Sequence, residues 1–471
     1  LIGFFATLLA TLNLLDMGLS STLNRQLARC SASSGTSQEQ HDLVRTLECI
    51  YWLTALVVGT VILLTAPYIA RYWVNAQNLT SRTVSTAISL MGLIFVFQFP
   101  FGLYQGGLMG LQRHVTVNGI LGAMAVLRSL GAVGVLLWFS PTISAYFLWQ
   151  FLCSGVQVIL IRACLWKALP PAPDRPRFRV PTLAPIWRFA AGMTGIALVS
   201  IVLSNMDRVL LSKMLPLREF GYYMAAATLS SGILTLAMPF FMAAFPRFSQ
   251  MMAGGCQKEL KQLYHALCQT VSCAVLPCVA VLAFFSPNVV FVWSNNKDLV
   301  EHSSAIVGLL VVGTGINAVL NIPYALQLAD GWTKFAFYQN VISVVLLLPL
   351  LVILIRHFGA VGAAMNWVIL HIGYILISPH VMHSRLLPTE KWRWYFGDLL
   401  IPASGIVAAV WVARILLPLD NYGRLVQLVA LGGIWGAAVL SGAALCPEVR
   451  RLAQAQWRKV RGVGRPERSE T

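Results

Sequence analysis

The chain alternates between long apolar runs and short polar segments from end to end. An apolar run of about 20 residues is what one helix needs to cross the hydrocarbon core of a bilayer. Thirteen such runs are read here as spans: Leu1–Leu23, Cys49–Ala70, Ser85–Gln105, Val115–Phe139, Ser144–Cys164, Phe189–Leu211, Tyr222–Phe245, Leu263–Phe285, Ser304–Leu326, Phe335–Ile355, Ala360–Met382, Leu399–Leu417 and Leu425–Leu445. Helices are expected because lipid offers the backbone no hydrogen-bond partners. The alternating pattern of a barrel strand is absent from the sequence. The fold class is therefore an all-α polytopic membrane protein.

Composition agrees. Hydrophobic residues make up 57% of the 471 residues and charged residues 11%, with a mean hydropathy of +0.71. A soluble domain has about 25% charged residues. The formal net charge is +17, and its distribution argues against nucleic-acid binding. Let the loop after Leu23 be cytoplasmic, and count each span-end residue with its adjoining loop. The cytoplasmic segments then hold 24 of the 34 Lys and Arg, the outer ones nine, and Arg128 lies inside a span. This is the positive-inside bias. It places the basic tail, VRRLAQAQWRKVRGVGRPERSET, in the cytoplasm, where it can also meet anionic lipid. The nine cysteines show no metal spacing, and no disulfide framework is implied.

The chain also repeats itself. FPFGLYQGGLMGLQRHVTVN around Pro100 aligns with IPYALQLADGWTKFAFYQN around Pro323. Pro100 pairs with Pro323, Gly110 with Gly331, Arg113 with Lys334 and Asn118 with Asn340, at offsets of 221 to 223. Arg25 falls near Arg247 at an offset of 222. A parallel repeat related by an axis along the membrane normal accounts for this. The second copy has a span before the segment matching residue 1. The expectation is therefore an intact protein of fourteen spans, with the first helix missing from this chain. The expected organisation has an N-terminal lobe over 1–166 and a Pro-rich linker over 167–188. A second six-helix lobe covers 189–383, two further helices 384–445, and a basic tail 446–471. The linker is expected to be extended and semi-rigid.

Ionisable residues inside spans are costly and mark sites or structural pairs. The candidates are Asp16, Arg25, Arg128, Asp207, Arg208 and Arg247. Arg128 lies mid-span and is expected to face a cavity. Asp16 pairs with a neighbouring Arg or belongs to a coupling-ion site, and the sequence leaves both open. Asp207 and Arg208 lie near an outer span end, where an interfacial pair is the competing account. Arg25 can simply snorkel. Pro100 and Pro323 interrupt their helices at equivalent places and are candidate hinges, a static role fitting equally well. His380 and His383 read as surface residues. There is no Walker loop, HExxH or Ser/His/Asp set, so the reading is not an enzyme.

LLDMGLSSTLNRQLAR (14–29) resembles the end of the second helix of bacterial O-antigen-type polysaccharide flippases. These belong to the multidrug/oligosaccharidyl-lipid/polysaccharide exporter superfamily. SNMDRVLLSKMLPLREFGYYMAAATLS resembles the family's seventh helix, outer loop and start of the eighth. PRFS, GLMGLQRHVTVN and IPYALQLADGWTK also fit. The resemblance implies translocation of an undecaprenyl-diphosphate-linked oligosaccharide from the cytoplasmic to the periplasmic leaflet of the inner membrane, by alternating access in a two-lobed fold with a cationic cavity. It also implies coupling to H+ or Na+, no cofactor, and contact with membrane lipids and other polysaccharide assembly proteins. A multidrug and toxin extrusion cation antiporter and a peptidoglycan-precursor flippase are the related alternatives. A membrane glycosyltransferase or polymerase is the alternative from another class, and it is expected to carry a large outer loop with catalytic groups.

Overall fold

The computed structural model describes residue 16 and residues 18–31, 37–72, 80–183, 186–419, 422–451 and 454. No strand occurs among them. Among the described residues eleven helices are long and apolar enough to cross a membrane, so the chain is a multi-pass membrane protein. Twelve of the thirteen expected spans fall on these helices. The two expected spans Phe335–Ile355 and Ala360–Met382 share one 54-residue assignment, Thr333–Leu386. They are nevertheless separate, because Gly359 between them has φ 56° and ψ −135°. Most of the first expected span lies outside the described residues.

The chain forms two compact units. The first comprises Leu1–Leu198, Phe245–Cys256 and Ala329–Phe337. It contains helices α1 (Leu19–Cys30), α2 (Ser37–Tyr72), α3 (Ser81–Gly110), α4 (His114–Gly134) and α5 (Ile143–Ala168). The expected span Leu1–Leu23 is not one uninterrupted helix. Gly18 is left-handed, φ 66°, immediately before α1. A side chain there would also run into the Cβ of Met193. Only glycine fits both constraints.

Helix α1 lies against a glycine stripe on α3. Gly102, Gly106 and Gly110 recur every four residues and so share one helical face. A Cβ on Gly106 would sit 2.6 Å from the Ser20 carbonyl oxygen, and one on Gly110 would sit closer still to that of Asn24. Small residues at this spacing let two membrane helices approach backbone to backbone. Leu27, Leu47, Phe95, Leu103 and Ile161 then close a core from α1, α2, α3 and α5. The opposite face of α4 leaves Val126, Leu130 and Val133 exposed, as a lipid-facing helix does.

The linker is extended over its proline-rich part, and it is strapped to α2. Backbone N–H groups of Asp174, Arg177 and Arg179 donate to Gln38, Asp42 and Thr46, at 3.1, 2.9 and 3.0 Å. The three acceptors are four residues apart, one stripe of the helix. These three backbone donors of the linker are thereby satisfied.

The second unit comprises Val199–Ala244, Gln257–Leu328 and Tyr338–Thr471. Its chain includes most of α6 (Trp187–Met214), α7 (Leu217–Ala253), α8 (Gln257–Phe284), α9 (Ser286–Ser294), α10 (Lys297–Asp330) and α11 (Thr333–Leu386). Helices α12 (Ile401–Leu416) and α13 (Arg424–Leu445) follow. They pack on α8 through Val281, Ile406, Val410, Ile434 and Ala438. The expected interruptions at Pro100 and Pro323 do not end their helices: α3 continues to Gly110 and α10 to Asp330. A proline removes one ladder bond, and the surrounding packing holds the rest. The aligned repeat segments do take matching places. Each closes a long helix and leads through a short turn, at Leu111–Arg113 or Gly331–Trp332, into the next one.

Candidate functional site

A cavity of about 480 Å³ opens within the first unit. Four helices and Asp16, three residues ahead of α1, build it. Asp16 precedes α1, Ser20 comes from its first turn, Gln98, Gly102 and Gln105 from α3, Arg128 from α4 and Gln157 from α5. Gln98, Gly102 and Gln105 share a face because they are spaced by four and three residues. The glycine stripe brings Ser20 to that face. The walls are mixed, with Phe99 and Phe101 beside the amides.

Arg128 is half-buried. Its Nη2 donates to Ser154 Oγ at 3.1 Å and to Gln157 Oε1 at 2.5 Å. Both acceptors are neutral and lie one helical turn apart on α5. The Arg128 Nε is buried and donates to nothing. Among the described residues no carboxylate pairs with this guanidinium. A full positive charge is thus held from behind by amide and hydroxyl groups, with donor capacity left over. Arginine's planar fork is suited to bidentate contact with phosphate or carboxylate oxygens.

Asp16 is on the same cavity. Ser20 Oγ and Tyr51 Oη donate to its Oδ1. Neither partner is a cation, and among the described residues no Arg pairs with Asp16. Tyr51 is held in turn by stacking on Phe99, with ring centroids 4.9 Å apart.

The remaining sequence candidates lie elsewhere. Arg25 is buried, and its donors close a helix end. Nε donates to Ala329 O at 3.0 Å and Nη2 to Asp330 O at 2.9 Å. Gly331, at φ 86°, turns the chain just beyond, and the guanidinium lies 4.9 Å over the Phe189 ring. A cation on terminal carbonyls complements the helix dipole. Asp207 accepts from Tyr223 Oη and from the backbone N–H of Arg208. Arg208 is exposed, and Arg247 is exposed with its Nη1 on Gln250 at 2.6 Å. The structure therefore brings Asp16 and Arg128 to one cavity and leaves the other four outside it. Pro100 lies two residues from both Gln98 and Gly102 on the cavity helix, and Pro323 lies in α10.

Sequence reading passed over Ser20, Tyr51, Ser154 and Gln157. Gln157 was the legible one: a glutamine within an apolar span needs a partner, just as Arg128 does. His383, read as a surface residue, is instead buried. It lies between Tyr264, with a ring contact of 5.6 Å, and Trp394, at 5.9 Å. Its Nδ1 and the Pro379 carbonyl are 2.6 Å apart. The aromatic neighbours cover the polar ring that sequence position alone left at a span end.

Comparison with known proteins gives a consistent picture. The model of the polysaccharide biosynthesis protein family matches residues 3–252. A putative O-antigen transporter of Shigella flexneri is 23% identical over 267 residues, covering 55% of this chain and 59% of that protein. The chain thus spans less than two thirds of that relative's length. The lipopolysaccharide biosynthesis protein WzxC of Escherichia coli is 23% identical over 372 residues, covering 76% of this chain and 70% of that one. The Vibrio cholerae MATE transporter VcmN, in its bent form, superposes with a TM-score of 0.63 at 12% identity, covering 81% of this chain and 88% of that one. That likeness establishes the fold. The chain belongs to the polysaccharide biosynthesis protein family.

Proposed function

We propose that the protein is a flippase for undecaprenyl-diphosphate-linked oligosaccharide repeat units. It carries them from the cytoplasmic to the periplasmic leaflet of the bacterial inner membrane by alternating access, for O-antigen, exopolysaccharide or capsule synthesis. The observation that carries this reading is Arg128: a cavity guanidinium with no carboxylate partner among the described residues and an unmet buried N–H. A diphosphate supplies what that group lacks. The amides of Gln98, Gln105 and Gln157 are donors and acceptors suited to sugar hydroxyls, while the lipid tail stays in the bilayer. The names of the Shigella and Escherichia relatives support the substrate class. The positive-inside count supports a cytoplasmic C-terminus. An H+ or Na+ gradient is the proposed energy source, membrane lipids are direct partners, and other polysaccharide assembly proteins are the proposed neighbours.

A second reading, extrusion of an organic cation, is favoured by Asp16, an acidic group on the same cavity without a cationic partner among the described residues. Reconstitution in liposomes separates the two. A labelled lipid-linked oligosaccharide becoming accessible to an outside glycosidase only when the protein is present supports the flippase. Gradient-driven efflux of an organic cation without lipid exchange assigns the pump.

A further inference from the structure

Helix α8 carries Lys261, His265 and Gln269 at four-residue spacing, one stripe facing the segment before α12. His265 is fully buried. Its two ring nitrogens face two different carboxylates. Nδ1 lies 2.5 Å from Asp398 Oδ2, and Nε2 lies 3.2 Å from Glu390 Oε2. A neutral imidazole has one N–H and one lone pair. It can donate to one carboxylate only, and its bare nitrogen would then face the lone pairs of the other. Both contacts are hydrogen bonds only when a second proton is present, on the ring or on a carboxyl oxygen.

Charge leads to the same count. Asp398 has a side chain 1% exposed. Gln269 Nε2 donates to its Oδ1 at 2.9 Å, and no Lys or Arg pairs with it among the described residues. A buried carboxylate without a cation is costly. Glu390 is differently placed, with Lys261 Nζ at 2.9 Å and Arg393 Nη1 at 3.7 Å. Burial pushes the Glu390 carboxyl up, but hydrogen bonds from Lys261 and His265 outweigh it and hold the group below its usual range. The other titratable groups around the ring are Tyr264 and Cys268 from α8, His383 from α11, and Cys446 and Glu448 beyond α13.

The backbone marks the same spot. Residues Arg393–Leu400 form a π-helical segment, a wider turn that recurs at functional sites. It turns Asp398 inward, toward α8. Glu390, 14% exposed, is the group nearest to water, and Asp398 is the buried end.

We propose that His265, Asp398 and Glu390 form a proton-binding site, holding one proton beyond the one a neutral histidine and two carboxylates carry. Glu390 is its entry. Because Asp398 leads into α12, and Glu448 beyond α13 donates its backbone N–H to Gln269 at 2.9 Å, the bound proton also ties the C-terminal helix pair to α8. This goes beyond the carriage of a lipid-linked head group and does not depend on it.

The test is a proton inventory on the full chain in lipid nanodiscs at pH 7. Nitrogen-15 histidine spectra report the ring, with the His265 resonance identified by its absence in His265→Gln. Infrared spectra report protonated carboxyl groups, assigned with Asp398→Asn and Glu390→Gln. The expected result is a His265 ring protonated on both nitrogens. A singly protonated ring with a carboxyl band that disappears in Asp398→Asn or Glu390→Gln locates the same proton on oxygen and also supports the site. A singly protonated ring with no such band overturns it. Should His265→Gln fail to fold, Glu390→Gln, at the water-facing edge, identifies the resonance by shifting it.

Discussion

The cavity of the first unit and the histidine cluster of the second handle buried charge in opposite ways. Arg128 is held by Ser154 and Gln157, both neutral, with an N–H left unmet. His265 is enclosed by two carboxylates, whose remaining oxygens are met by Gln269 and Lys261. A closed set of partners makes a cluster part of the framework and sensitive to the loss of any member. An open set leaves a charge available to something that comes and goes. The two regions therefore predict different consequences for equally drastic substitutions.

The largest effect on stability is expected in the cluster. Asp398→Ala removes one partner of a buried pair and lowers unfolding stability by about 3–5 kcal/mol, read as a drop in midpoint during denaturation in detergent. The double variant His265→Leu with Asp398→Leu is expected to recover most of that loss, because apolar replacement of both partners removes the stranded charge. Equal destabilisation of single and double variants would show that the ion pair is not what matters there.

Next comes the glycine stripe that positions Ser20. Gly106→Val places a side chain where the Ser20 carbonyl already lies 2.6 Å from the Cβ position. Overpacking of this kind costs about 1–3 kcal/mol. It is expected to displace Ser20 from the cavity, so that transport falls more than protein abundance does. A fall in abundance alone would separate the stripe from the site.

Arg25→Gln is expected to cost about 1–2 kcal/mol, the loss of charge-assisted bonds to two helix-terminal carbonyls. Hydrogen exchange should then rise at Gly331–Thr333, with the Arg128 environment unchanged. Unchanged exchange there would show that Arg25 does not hold the turn.

The smallest effect concerns acid. Glu390 is held below its usual range in the folded state. Its contribution is present above the unfolded carboxyl pKa, about 4.3, and is lost as pH falls through the lower folded value. Glu390→Gln should therefore flatten only the acid limb of the stability profile. A change confined to the alkaline side would contradict the assignment.

Much of this was legible beforehand because lipid imposes length and periodicity on each span. Twelve spans could be placed from apolar runs alone, and the aligned segments around Pro100 and Pro323 marked two equivalent helix ends. Arg128 could be singled out because a mid-span cation has few alternatives. Partners across the chain were not legible. Nothing local to Arg25 says that its acceptors are Ala329 and Asp330, 304 and 305 residues away. His265 and Asp398 sat at polar ends of apolar runs, where solvent exposure is the ordinary expectation. The π-helical turn that buries Asp398 has no sequence signature as plain as a proline or a glycine. Gly18 had one, but a glycine at a span end reads equally well as close packing.

The measurement closest to the central claim is leaflet exchange of a lipid-linked oligosaccharide by liposomes carrying wild type, Arg128→Ala or Arg128→Lys at matched protein content. A charge-assisted bond to phosphate contributes about 1.5–3 kcal/mol, so Arg128→Ala should slow exchange by roughly 10- to 100-fold. Arg128→Lys, keeping the charge but losing the bidentate fork, should fall between. Full exchange by Arg128→Ala would contradict the account, because the open charge of the cavity would then not be where the head group binds.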